Sequence, residues 1–318
     1  MCFDEAFNEF IAYSKRINKK QTVNNLTHDF NKYILPYFTG KIINISKQDF
    51  INWQDIILTF NFSNSYNKKL YSTFSRFLNF CCWQYNLKDN VARQVGCFRK
   101  KYEPDKHDFY TYKEFQKFIS NVDNIVYKQY FNLLFFTGVR PSEAMALKFS
   151  DLKGFYISIN KSIQRRGNRE IDTPKTVSSY REVIIDKKLR QDLLTLQKYY
   201  ERKYGNSNDY FLFGGIKPLA PTTIDRVKKK ACGKANLRVI TQHQFRHSHA
   251  TLLHDHNIPL NEIQRRLGHK KMSTTLDIYI LPDLSQEKRV TRTLNSLRFS
   301  FFNNLTHDFK NLISIFTR

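Results

Sequence analysis

The sequence predicts a mainly α-helical protein in two domains, with one small three-stranded antiparallel sheet set into the second. A chain of 318 residues is long enough to bury two cores. Its 10 Gly and 8 Pro favour long helices over tight turns. The apolar period is helical along most of the chain but shortens to 2 between Phe155 and Ile185.

Helical spacing runs through residues 4–100: Phe7, Phe10 and Ile11; Phe30, Tyr33 and Ile34; Phe50, Trp53, Ile56 and Ile57; Leu70, Phe74, Phe77 and Leu78. With Lys-, Asn- and Gln-rich opposite faces, this makes residues 1–102 a domain of four or five helices. The charged, aperiodic, proline-containing stretch Arg99–Asp108 is the best linker candidate, and the boundary is set at 103–109. The second domain, 110–285, opens with Thr111-Tyr-Lys-Glu114, a capping box. Its helical spacing continues through Tyr127–Phe136 and stops at Gly138. Three strands are predicted at Phe155–Ile159, Arg169–Thr173 and Arg181–Ile185, with turns at Gly167-Asn168 and Lys175–Tyr180. Helices resume near Lys187, break over the loop Tyr204–Pro221, and include Asn261–Leu267, which Gly268 ends. Residues 286–318 form a helical tail with Leu294, Leu297, Phe299, Phe301 and Phe302. The string Asn-Asn-Leu-Thr-His-Asp-Phe occurs at both 24–30 and 303–309, with no solenoid period between the copies.

Charge narrows the partner. Lys+Arg number 52 against 28 Asp+Glu, a net +24 spread along the chain, which fits a surface shaped for a polyanion. No apolar run approaches the length of a membrane span, and the acidic N-terminus is unlike a signal peptide. The five cysteines (Cys2, Cys81, Cys82, Cys97, Cys232) are an odd number without a C-x-x-C pair, so they read as buried thiols in a reducing compartment. The expectation is a cytoplasmic protein without metal or other cofactor.

Four motifs carry chemistry: Thr137-Gly-Val-Arg140-Pro-Ser-Glu143, His243-Gln-Phe-Arg246-His-Ser-His249, Leu267-Gly-His269 and Leu276-Asp-Ile-Tyr279. Cutting a phosphodiester without a metal requires neutralising the phosphate, activating a weak nucleophile and protonating the leaving oxygen. Arg140 and Arg246 suit the first task, since a guanidinium grips two phosphate oxygens and stays charged. Tyr279, with an ordinary pKa of about 10, needs an acceptor and nearby positive charge. His243, placed with Arg246 on one helix face, and His269 can supply the acceptor. Glu143 can buttress an arginine or a histidine, while His247 and His249 read as structural. Each motif alone has a blander reading; Arg-x-x-Glu is usually a surface ion pair. The order and spacing of the whole set lift it above that.

At these residues the chain resembles the tyrosine recombinases, the phage integrase family of DNA strand-transfer enzymes. The resemblance covers residues 110–282 strongly and 4–100 weakly, through Tyr33-Ile-Leu-Pro-Tyr37. It implies a two-domain DNA clamp in which residues 1–102 are a SAM-like core-binding domain and 110–285 the catalytic domain. It also implies that Lys175, in Thr173-Pro-Lys175-Thr, is the lysine that protonates the departing 5′ oxygen, with Lys161 as a rival. The catalytic set is then Arg140, Lys175, His243, Arg246, His269 and the nucleophile Tyr279, which leaves a 3′-phosphotyrosine bond, with Glu143 supporting. The implied partners are double-stranded DNA and a homo-tetramer on two DNA sites, with accessory DNA-bending or directionality proteins as further candidates and no membrane. Integration and excision of a phage or mobile element is the expected role, with a Xer-like resolvase or an invertase as the alternative. A type IB topoisomerase or a non-catalytic DNA-binding protein are the rivals from other classes. Two features depart from the family: residues 1–100 hold no separate arm-binding domain, and Tyr279 is followed by Ile-Leu-Pro282 instead of a polar continuation.

Overall fold

The computed structural model describes residues 1–38, 40, 42, 45–99, 109–163, 171–172, 180–207 and 209–268. The predicted linker except Phe109, both predicted strand turns except Tyr180, the tail and the second copy of the repeated string lie outside these residues. The chain divides into two units, Met1–Lys106 and His107–Arg318.

Unit one is built from helices α1 (Phe3–Ile17), α2 (Lys20–Tyr33), α3 (Lys47–Thr59), α4 (Asn64–Tyr85) and the short α5 (Val91–Val95). Local chemistry sets their ends. The Cys2 amide donates to Glu5 at 3.0 Å at the start of α1. A capping box joins Ser46 and Asp49 at the start of α3, and Asn86 ends α4 in the left-handed region. Aromatic rings fill the space between the helices. Phe7 lies 4.6 Å from Phe30, Phe30 5.0 Å from Phe77 and Trp53 5.0 Å from Phe74, centroid to centroid. Each such ring contributes about 1.5–3 kcal/mol by leaving water. The Trp53 indole also donates to the Tyr33 carbonyl at 2.7 Å, satisfying the end of α2.

Two predicted core positions differ from expectation. Ile11 is half-buried and Ile56 is exposed, because the apolar stripe is narrower than the spacing implied and both sit on its flank. The cysteine reading also needs correction. Cys81 and Cys232 are buried and Cys82 half-buried, whereas Cys2 and Cys97 are exposed, one at the open start of α1 and the other in the loop after Gly96. Among the described residues no helix is long and apolar enough to cross a membrane.

Unit two opens with α6 (Tyr112–Ser120), where Thr111 and Glu114 form the predicted capping box. Helix α7 (Ile125–Thr137) is apolar on nearly every side and runs through the core, where Phe115 stacks on Phe135 at 3.8 Å and Phe131 and Phe245 meet at 5.4 Å. The short α8 (Pro141–Ala146) follows, then strands β1 (Leu152–Lys153), β2 (Tyr156–Ile159), β3 (Ser162–Ile163), β4 (Ile171–Asp172) and β5 (Arg181–Ile184). Helices α9 (Lys187–Tyr204), α10 (Pro221–Lys234), α11 (Gln244–Asp255) and α12 (Leu260–Leu267) complete the unit.

The three-stranded antiparallel sheet is present, in the order β1-β2-β5, with Ile157 opposite both Leu152 and Val183. Its third strand is not the predicted one. The described part of 169–173 pairs as β4 with β3 in a separate ribbon, and Leu152–Lys153 takes its place beside β2. Two residues are too few to show a period; the readable signal was Gly154, whose φ of +62° allows the two-residue turn into β2.

Unit one buries a carboxylate. Asp29 on α2 is 2% exposed at its side chain, and the Lys69 ammonium reaches it at 2.7 Å. The Tyr66 hydroxyl donates to the same carboxylate at 3.2 Å. Burial, then the Asp29 charge, pushes that phenol above its ordinary pKa. Lys69→Met should therefore cost about 1–3 kcal/mol, because a buried carboxylate loses its cation. Lys68→Met, at an exposed position of the same helix, should cost less than about 0.5 kcal/mol. Urea unfolding midpoints measure the difference, and equal losses would mean that Asp29 draws no stability from Lys69.

Candidate active site

The site forms where α7 and α12 end. Both stop at a glycine in the left-handed region, Gly138 at φ +66° and Gly268 at φ +69°. A side chain at Gly138 would be strained and blocked, since its Cβ would lie 2.6 Å from both the His249 ring and the Leu267 side chain. The last carbonyls of each helix have no intrahelical donor and carry its negative dipole end. Guanidinium groups satisfy them.

Arg246, in the first turn of α11, is 1% exposed and donates to the Gly138 carbonyl at 2.8 Å and the Leu267 carbonyl at 2.7 Å. Its Nε has no hydrogen-bond partner among the described residues. Burial, then Arg140 and Arg181, pulls its pKa below the ordinary value, yet a guanidinium keeps its charge near neutrality. Arg140 directly precedes α8, at its N-cap. It donates to Glu143 at 2.8 Å and to the Gly268 carbonyl at 3.2 Å, and its side chain is 31% exposed. Two arginines from distant parts of the chain are thus held on neighbouring carbonyls of the same helix end.

Glu143 is buried and buttresses arginines, one of the two options the sequence left open. It accepts from the Arg140 amide at 2.9 Å and from Arg181 at 2.9 and 3.3 Å. Burial raises the carboxyl, but Arg181 and Arg140 outweigh it and hold the pKa below the ordinary range. His243 is not inside the helix with Arg246 as expected; it flanks α11, which begins at Gln244. Burial, then His247 and the two arginines, lowers His243 to about 4, so its ring is neutral near pH 7 and able to accept a proton. Its ring meets that of His247 edge-on at 5.1 Å.

His249 is structural. Its Nδ1 is 2.8 Å from the Phe135 carbonyl, which requires an N–H there, and its Nε2 accepts from Arg266 at 3.0 Å. Lys161, the rival to Lys175, is engaged by Asp151 at 2.7 Å. Lys175, His269 and Tyr279 lie outside the described residues.

Sequence reasoning missed Arg181 and Arg266. Arg181, at the start of β5, also donates to the Arg266 carbonyl at 2.9 Å. Arg266, besides holding His249, donates to the carbonyls of Phe136 at 3.1 Å and Ile184 at 3.0 Å, tying α12 to α7 and β5. Neither had a sequence signal, because each lies among other charged residues and its partners are far away in the chain. Among the described residues no group of three or more His, Cys, Asp or Glu is placed to hold a metal.

Residues 108–285 match the phage integrase family. The chain is 29% identical over 286 residues to the ICEBs1 integrase of Bacillus subtilis strain 168, covering 85% of this chain and 76% of that protein. Its fold is similar to that of the Tn1549 transposon integrase in complex with transposon right end DNA, with a TM-score of 0.75 at 18% identity, covering 93% of this chain and all of that one. It is also similar to that of a lambda integrase tetramer bound to a Holliday junction, with a TM-score of 0.66 at 16% identity, covering 85% of this chain and 78% of that one.

The two buried histidines make stability depend on pH. Burial first, then Arg266, lowers His249 to about 3, and His243 stands at about 4, against an ordinary 6.5. On acidification the unfolded chain binds protons before the folded one. The stabilisation from neutral burial is therefore complete above about pH 6.5 and is lost as pH falls through the window toward about 4 and 3. Thermal midpoints should fall steeply below about pH 6.5, and His249→Gln should flatten the fall. An unchanged slope in the variant would mean that His249 is not its source.

Proposed function

The chain belongs to the phage integrase family and is a site-specific recombinase of the tyrosine type, and we propose that Tyr279 is its nucleophile, acting with Arg140, Lys175, His243, Arg246 and His269. The observation that carries this assignment is the convergence of Arg140 and Arg246 on the end of α12, beside a neutral His243. The scissile phosphate is the species whose charge these two guanidiniums meet. The Tyr279 hydroxyl loses its proton to a histidine, His243 or His269, as its oxygen attacks phosphorus. The P–O bond to the 5′ carbon breaks, Lys175 gives that oxygen a proton, and a 3′-phosphotyrosine remains. A 5′-hydroxyl from a second site then attacks phosphorus and gives its proton to Lys175, the P–O bond to Tyr279 breaks, and the histidine returns the proton to the phenolate oxygen. One phosphodiester replaces another, so the energy of the bond is kept. Well-placed charge stabilisation of this kind contributes roughly 3–4 kcal/mol per donor.

In this reading residues 1–102 bind the DNA core, 103–109 link, 110–285 cut and rejoin, and 286–318 form a tail for a neighbouring copy. Double-stranded DNA is the partner, as the net charge of +24 supports. The working assembly is a homo-tetramer on two sites, acting in the cytoplasm to integrate and excise a mobile element. The kinship with the integrase of Bacillus subtilis ICEBs1 favours that role over resolution or inversion. Lys161 is the weaker candidate for the general acid, because its ammonium is already engaged by Asp151.

Tyr279→Phe should keep DNA binding and lose every covalent adduct on a nicked suicide substrate. Denaturing gels read the result; a persisting adduct would name another tyrosine as nucleophile. Lys175→Ala should slow cleavage of ordinary DNA much more than cleavage of DNA with sulfur at the 5′ bridging position, because a thiolate leaves without a proton donor. Equal slowing on both substrates would remove Lys175 from that role.

A further inference from the structure

We propose that Arg181 is a positioning residue for strand transfer: it holds Glu143 so that this carboxylate orients Arg140 without absorbing its charge, and it fixes the end of α12. The inference rests on the recombinase reading above. The Arg181 side chain is 7% exposed and already holds an acid and a carbonyl. Three of its hydrogen bonds turn inward. Two go to the two oxygens of Glu143 at 3.3 and 2.9 Å, and Nε goes to the Arg266 carbonyl at 2.9 Å.

Glu143 faces both ways. Each of its oxygens takes one bond from Arg181 and one from Arg140, the latter through the guanidinium at 2.8 Å and the backbone amide at 2.9 Å. The arrangement closes into a ring, because Arg140 donates to the Gly268 carbonyl while Arg181 donates to that of Arg266. His269 is the next residue in sequence after Gly268. A single carboxylate shared by two guanidiniums leaves the trio with a net positive charge. With Arg181 gone, the whole carboxylate would fall to Arg140 and compete with the phosphate for it. Lysine cannot replace Arg181, since a point charge does not reproduce a fork and a third bond to a carbonyl.

The test uses the full chain on a suicide duplex, reading duplex affinity, the single-turnover rate of Tyr279 adduct formation and the urea midpoint. Arg181→Gln should slow adduct formation by about 100-fold, the scale of a misplaced catalytic group, with affinity within about twofold. Millimolar guanidinium should restore the rate of Arg181→Ala by about tenfold or more without changing that of the unaltered chain. Arg181→Gln combined with Glu143→Gln should be no slower than the slower single variant, because the two residues act as one unit. Should the Gln variant fail to fold, Arg181→Lys, which keeps the charge, serves the same comparison and should be slowed alike. An adduct rate that is unchanged, that falls only in step with affinity, that ignores guanidinium, or that adds up across the double variant would overturn the proposal. An unaltered chain that forms no adduct at Tyr279 would instead refute the recombinase reading.

Discussion

Two helix C-termini converge on one buried guanidinium, and the geometry of the candidate active site follows from that contact. The carbonyls at the ends of α7 and α12 would be left without donors in a dry interior, a cost of about 1–3 kcal/mol each. Arg246 answers both, binding Gly138 and Leu267 across 108 and 21 residues of sequence. Its position fixes the start of α11, hence His243, and the turn from Gly138 to Arg140. Removing it would unlock three segments at once, which is why a fully buried arginine is tolerated here.

A second layer of arginines keeps that junction in register. Arg266 ties the last turn of α12 to the Phe136 and Ile184 carbonyls and to His249. Arg181 ties the same turn to Glu143. The sheet is small, but through Arg181 and Ile184 its β5 edge reaches the site. Loss of packing between β5 and α12 would therefore be felt at Arg140, although no strand residue is itself expected to touch the phosphate.

What the sequence disclosed follows the range of the interactions. The helices of residues 4–100 were legible because aromatic side chains recur at helical spacing, and the capping box at Thr111 and the stops at Gly138 and Gly268 were legible because each is a local rule. Ile56 was misjudged because periodicity gives the direction of a stripe better than its width. Strand β1 was missed because two residues have no period. Lys69 carries no local signal, because its buried partner Asp29 lies forty positions away. Arg140, Arg246 and His243 were singled out as candidates from the chemistry of their neighbours in sequence. Arg181 and Arg266 were not, since their partners come from distant segments.

The choice of partners for these arginines has an electrostatic logic. A carboxylate on each guanidinium would hold it in place but neutralise the charge that a phosphate needs. A helix C-terminus carries only about half an elementary charge of dipole and no net charge. It orients a guanidinium at far smaller cost to the field outside. The site uses carbonyls of that kind for Arg246, carbonyl and carboxylate together for Arg140 and Arg181, and one carboxylate, Glu143, for both of the latter. Arg140, Arg181 and Arg246, gathered around Glu143, thus remain cationic as a group, and near neutral pH the adjoining histidines add no positive charge because burial keeps them neutral. That separates two tasks: the guanidiniums supply fixed charge, and His243 remains able to accept a proton.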